Sequence, residues 1–282
     1  MPETRRRRTP ARPVALTRAA AGRSARPARP AGLLAVDVGN SDTVLGLFAG
    51  ATLAGFWRIT SRAATADELG AQIDALARAY HWHRPAAAVL CSVVPGLTLP
   101  WTRALDLLIG APPVEVSAST ARSLPIRYHD KTAVGADRIA NAVAARALYG
   151  TPAIVVDLGT ATTFDCISKQ GAYLGGAIAP GVASSAEELF RRAARLPRVE
   201  LRRPARALGR TTEESLQAGV LWGAAGQVDA LVRRLALEMK GTPAVIATGG
   251  LAAAIAPECE TINLVDETLT LKGMRLIWED AR

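Results

Sequence analysis

LLAVDVGNSDTVLGLF (33–48) and AIVVDLGTATTFDCIS (153–168) are one phrase written twice, with Asp37 and Asp157 120 residues apart. Each copy runs from an apolar stretch into Asp-x-Gly, then small hydroxyl or amide residues, then a second apolar stretch. The pattern predicts a buried strand that turns sharply at Gly39 or Gly159 and returns as a second strand, with an acid at the turn. Such a turn suits phosphate and metal together. Glycine lets backbone N–H groups approach an anion, and Asn40, Ser41, Thr160, Thr162 and Thr163 offer further hydrogen bonds. An aspartate there can hold a divalent cation directly or through water. A single Asp-Gly turn reads as an ordinary hairpin; two in register point to a duplicated nucleotide site.

The chain around these hairpins has 282 residues and 49% apolar content, enough for one large domain or two similar halves. Its formal charge of +9 is concentrated at the start: residues 1–31 hold nine arginines and one glutamate, leaving 25 basic and 24 acidic residues for 32–282. That Arg/Pro/Ala-rich start lacks the large apolar side chains of a core. It reads as a disordered extension or translation from an upstream start codon, with a polyanion tether or a transit peptide as alternatives. No apolar run reaches the roughly 18–20 residues that span a bilayer, so a cytoplasmic protein with no membrane partner is expected. Cys91, Cys166 and Cys259 are odd in number, far apart and flanked by apolar residues, which predicts buried reduced thiols.

An α/β order follows from Gly32 onward. After the first hairpin come a strand LAGFWRIT and a helix from about Asp67 to Tyr80, with Thr65 and Glu68 in capping-box spacing. A strand AAAVLCSVV, a helix near Trp101–Ile109, a short strand PVEVS, the loop LPIRYHDKTAVGADR and a helix through Ile139, Val143 and Leu148 complete the first half. The second half repeats the plan. Its hairpin leads to GAYLGGAIAPG, a helix capped at Ser184 with Glu187, a long helix from about Glu213 to Met239, and the strand AVIATGG with a following helix. The expected organisation is an extension at 1–31, an N-terminal half at 32–150 and a C-terminal half at 151–282, with two sheets facing each other across a cleft.

No rival phosphate motif competes: G-x-x-x-x-G-K-[ST], strand-linked G-x-G-x-x-G, kinase H-R-D and G-x-S-x-G are all absent. His81 and His83 fall in a polar turn and read as exposed, while His129 lies in the loop before GADR, facing either substrate or solvent. Taken alone, Asp137 reads as a helix N-cap or as a base. Arg138 reads as a salt-bridge partner or as a carboxylate ligand, and Gly249–Gly250 as a tight turn or a place where backbone passes close to a nucleoside.

DVGNSDTV, SVVP, GADR, DLGTATT, GGAIAPG, GRTTEESLQAG and TGG occur in the order and approximate spacing of the type III pantothenate kinases, and the chain resembles that family over residues 32–282. The resemblance implies a duplicated ASKHA fold, of the actin, sugar-kinase and Hsp70 kind, made of two similar halves with a cleft between them. It implies ATP-dependent phosphorylation of pantothenate on its primary hydroxyl, the first step of coenzyme A synthesis. It assigns Asp37, Val38, Gly39, Asn40, Ser41, Asp42, Thr43 and Val44 to the first ATP-phosphate loop, with Asp37 on the magnesium side. Thr160 becomes an ATP contact and Asp157 the ligand of a monovalent cation, potassium or ammonium. Tyr128, Gly135, Ala136, Asp137, Arg138 and Thr212 fall on the pantothenate side, with Asp137 as proton acceptor. A homodimer with the pantothenate pocket near the subunit interface is also implied, and no specific nucleic-acid partner. Ser41 stands where the family usually has threonine, and HDK (129–131) where it often has Asn-Pro. The rival readings are a non-catalytic nucleotide-binding regulator of the same fold, whose tail touches DNA, and a related kinase acting on another hydroxyl compound. An acceptor-side base such as Asp137 favours an enzyme.

Overall fold

The computed structural model describes residues 32–193 and 195–282, so the expected extension at 1–31 lies outside the described residues. The first sheet comprises β1 (Leu33–Val38), β2 (Asp42–Ala49), β3 (Thr52–Thr60), β4 (Ala87–Ser92) and β5 (Val114–Glu115), in the order β3-β2-β1-β4-β5. The second comprises β6 (Ala153–Leu158), β7 (Ala161–Ile167), β8 (Tyr173–Pro180), β9 (Ala244–Thr248) and β10 (Leu264–Val265), in the order β10-β9-β6-β7-β8. The two orders are the same topology. Each begins with an antiparallel hairpin, extends through a third antiparallel strand on one side, and adds two parallel strands on the other. The repeated phrase therefore marks a repeated sheet.

Helices cover both faces of each sheet, which is why β1 and β6 are almost continuously buried rather than alternating. Helices α1 (Ala66–Ala79) and α2 (Pro95–Ile109) cover the outer face of the first sheet, where Leu34, Val36 and Leu45 pack with Leu69, Ile73 and Trp101. Between the sheets lies α3 (Ala136–Tyr149). On the outer face of the second lie α4 (Val182–Arg192), α5 (Thr212–Met239) and the short α6 (Ala252–Ile255), where Val156, Phe164 and Val182 pack with Leu221, Val228 and Ile255. The C-terminal helix α7 (Leu269–Asp280) returns to the middle layer and packs against α3. Their crossing depends on Gly273, where a Cβ would stand 1.9 Å from the Ala140 carbonyl oxygen; only glycine fits there.

Several boundaries differ from the sequence reading for identifiable reasons. The Thr65–Glu68 capping box forms as expected. Helix α2 starts six residues before Trp101, because Pro95 occupies the first helical position, where a missing N–H costs nothing. Helix α4 starts at Val182 rather than at a Ser184 cap, and Ser184 Oγ instead donates to the Thr160 carbonyl at 2.9 Å. β10 and α7 were not separated in the sequence. Cys91 and Cys166 are buried free thiols, whereas Cys259 is only half-buried; His81, His83 and His129 are exposed. No helix among the described residues is long and apolar enough to cross a membrane.

Candidate active site

The two hairpins meet tip to tip. Register pairs Asp37 with Val44 and Asp157 with Thr163, so both acids occupy the penultimate residue of their strands. Gly39 N–H closes the first turn onto the Asp42 carbonyl at 3.0 Å, and Gly159 N–H closes the second onto Ala161 at 3.1 Å. Ser41 and Thr160, one at each tip, share a hydrogen bond at 2.9 Å. The serine in the usual threonine position thus keeps its hydroxyl in use across the cleft.

Behind the tips opens a cleft of about 540 Å³, lined by Asp37, Gly39, Asn40, Ser41, Asp42 and Val44 from the first hairpin. Val38 and Thr43 belong to the other face: Val38 is in the core, and Thr43 is buried with its hydroxyl on Ser61 at 2.8 Å. This is the period-2 alternation of a strand. From the second half come Asp157, Gly159, Thr160 and Thr163, together with Gly249 and Gly250. Gly249 has φ +91°, and a Cβ there would stand 2.4 Å from Asp157 Oδ1, so this turn must be glycine to pass behind the carboxylate. Asp137 completes the floor from the first turn of α3, where Gly135 is the N-cap. It does not cap the helix; its Oδ1 accepts the Arg138 N–H at 2.7 Å.

Three aspartates share one cleft, and burial makes each of them harder to ionise. Burial, then the charge of Asp137, lifts Asp37 to about 7. The same two causes lift Asp157 to about 6, while the Asn141 amide holds it down. Burial also pushes Asp137 upward, against the pull of the Arg138 N–H and guanidinium. No group of three metal-ligating acids converges on one point among the described residues. That donor set fits a cation held by one or two carboxylates, with phosphate oxygens and water completing its shell.

Other expected site residues lie outside this cleft lining. Arg138 points away from it: its Nε donates to the fully buried Asp165 at 2.7 Å, and the Tyr173 hydroxyl donates to the same carboxylate at 3.0 Å. Tyr128 is exposed, its ring 6.3 Å from that of Tyr173. Thr212 is exposed at the first residue of α5. The sequence reading missed Asn141, which is fully buried, donates to Asp157 Oδ2 at 3.0 Å and accepts from the Thr270 hydroxyl at 2.8 Å. Its position one helical turn after Asp137 was the available signal. Phe56, Arg58, Glu187, Glu267 and Thr270 also line the cleft without having been foreseen.

A profile describing type III pantothenate kinases matches residues 33–234. A type III pantothenate kinase of Moorella thermoacetica is 49% identical over 250 residues, covering 88% of this chain and 98% of that relative. One of Geobacter sulfurreducens is 46% identical over 253 residues, covering 89% and 99%. Among solved structures, a ROK hexokinase of Thermus thermophilus superposes with a TM-score of 0.51 at 15% identity, over 89% of this chain and 100% of that one, a likeness of fold. Together with two sheets of one topology, duplicated hairpins and a cleft between them, these matches show that the chain belongs to the type III pantothenate kinase family, built on the ASKHA fold.

Proposed function

We propose that the chain transfers the γ-phosphoryl group of ATP to the primary hydroxyl of pantothenate, giving 4'-phosphopantothenate in the first step of coenzyme A synthesis. The observation that carries this reading is the pair of hairpin tips joined by Ser41 and Thr160, with Asp137 on the same cleft. Phosphoryl transfer needs positioning and charge neutralisation more than covalent chemistry. In this assignment the turns at Gly39 and Gly159 hold the phosphates. Asp137 takes the proton as the pantothenate oxygen bonds to phosphorus and the bond to the β-phosphate oxygen breaks. Its raised pKa brings it towards working pH, as a general base requires. Asp37 would hold magnesium on its side, where the ion would supply charge neutralisation on the phosphates. Asp157 would hold a monovalent cation.

The acceptor side is assigned to Tyr128 and to Gly135–Arg138. Arg138 spends its Nε on Asp165 and has Nη2 3.4 Å from the Phe164 carbonyl, which leaves Nη1 without a protein acceptor among the described residues and available to a carboxylate. Thr212 lies outside the cleft of its own chain, so its assignment to the substrate requires a second copy to bring it there. An apolar groove of about 450 Å³ between α4 and α5, lined by Val182, Leu189, Leu216 and Val220 near Thr212, is a surface such a dimer can cover. An ATP-coupled assay with pantothenate against a panel of sugars and polyols tests the reading. Preference for pantothenate supports it, turnover of another hydroxyl compound replaces the substrate, and nucleotide binding without any turnover favours the regulator.

A further inference from the structure

Six acids line the cleft: Asp37, Asp42, Asp137, Asp157, Glu187 and Glu267. Among the described residues one base lines it, Arg58. A nucleotide triphosphate entering such a space brings further negative charge, so the placement of that single guanidinium matters. Strand β3 alternates exposed and half-buried residues along its whole length, with Trp57 and Ile59 on the covered face and Phe56 and Arg58 on the cleft. In register, Arg58 stands opposite Val44 at the end of the first phosphate loop.

The guanidinium spans two walls. Nη1 lies 3.1 Å from Asp42 Oδ2 on the first hairpin, and a Cβ built on Gly250 of the opposite wall would stand 3.1 Å from that same nitrogen. The ion pair with Asp42 is 48% and 40% exposed, and a pair so solvated contributes little. Arginine presents a planar fork that matches phosphate oxygens in pairs. Arg58 is also the cation that offsets, at Asp37, part of what burial and Asp137 impose.

We propose that Arg58 is a nucleotide-phosphate ligand of the kinase reaction, resting on Asp42 while the cleft is empty and transferring to the polyphosphate when ATP enters. It is held between the first phosphate loop and the Gly249–Gly250 turn, which also passes behind the Asp157 carboxylate. Glycine at 250 leaves room for this reach, since a side chain there would meet the guanidinium.

The test is calorimetric titration of the full chain with the magnesium complexes of ATP and ADP and with adenosine, for wild type, Arg58→Gln and Arg58→Lys. Loss of charge-assisted bonds to phosphate should weaken ATP and ADP by about 10–100-fold in Arg58→Gln. Adenosine affinity should stay within about two-fold, and Arg58→Lys should lose less than Gln by keeping the charge without the fork. Equal weakening of adenosine, or ATP affinity within about two-fold of wild type in both variants, overturns the proposal. A Gln variant that fails to fold leaves the lysine variant, where unchanged ATP and ADP affinity is the overturning result and a selective loss the supporting one. The proposal rests on the kinase reading, but its readout is nucleotide binding, so its failure would leave pantothenate turnover untouched.

Discussion

Asn141→Ala should move the acid limb of the pH–rate profile upward by about 1–2 units. Asn141 is fully buried and gives its amide N–H to Asp157 Oδ2 at 3.0 Å. Burial, then Asp137, lifts Asp157 to about 6 even with that donor in place. A hydrogen bond to a charged group contributes about 1.5–3 kcal/mol, and about 1.4 kcal/mol corresponds to one pKa unit. Without the donor, Asp157 should therefore titrate at about 7–8 in the free protein. Near pH 7 the ionised fraction falls from about nine-tenths to between a half and a tenth. If ionised Asp157 is required, kcat/KM for ATP, which reports the free protein, should fall off at correspondingly higher pH. Stability supplies an independent readout. A carboxyl raised above its unfolded value costs folding free energy that grows from the unfolded pKa, is complete above the folded pKa, and is absent below the unfolded pKa. The melting-temperature deficit of the variant should accordingly be larger near pH 8 than near pH 5. An acid limb that coincides with the wild type, with a deficit independent of pH, would refute the coupling between Asn141 and Asp157.

Asp137→Asn should lower turnover by about 10²–10⁴-fold while ATP affinity and melting temperature stay near wild type. A raised KM for pantothenate with unchanged turnover at saturation would make Asp137 an anchor instead. Potassium or ammonium should activate the wild type well beyond sodium, and Asp157→Ala should lose that response along with ATP affinity; equal rates in sodium and potassium count against a cation at Asp157. Light scattering should find a dimer. Mixing an Asp137→Asn chain with a Thr212→Ala chain should restore activity in the hybrid if Thr212 of the partner subunit completes each site, and no recovery argues against a shared site.

The parts of this fold that repeat were legible, because a hairpin with a buried acid has the same residue requirements wherever it occurs. Val36-Asp37-Val38-Gly39 and Val156-Asp157-Leu158-Gly159 differ by a single aliphatic substitution and share register and strand order. What escaped notice depends on contacts between distant segments. Leu269, Gly273 and Ile277 recur every four residues and could have announced α7. That α7 returns to the layer between the sheets is a property of packing, visible only at the Gly273–Ala140 contact. Arg138 reads either as a substrate ligand or as a salt-bridge partner, and the structure pairs it with Asp165, a residue that the repeated phrase contains without marking as special. Arg58 sits in a strand whose sequence reads only as alternation.

The duplication does not make the two aspartates equivalent, and their difference lies in parts of the chain that occur once. Asp37 stands beside Cys91 on β4, a weak thiol donor, whereas Asp157 stands beside Thr248 on β9 and receives the Asn141 amide. Burial raises both acids, while the Cys91 thiol pulls Asp37 back and the Asn141 amide pulls Asp157 back. Asn141 and Asp137 belong to α3, and the hydroxyl that fixes Asn141 comes from Thr270 on α7. The paired sheets thus contribute two similar hairpin turns, and the single α3–α7 layer between them makes the acids beside those turns unlike. On one side the acid is already ordered by protein donors. On the other, the Cys91 thiol and the Arg58 charge take the place that the Asn141 amide holds at Asp157.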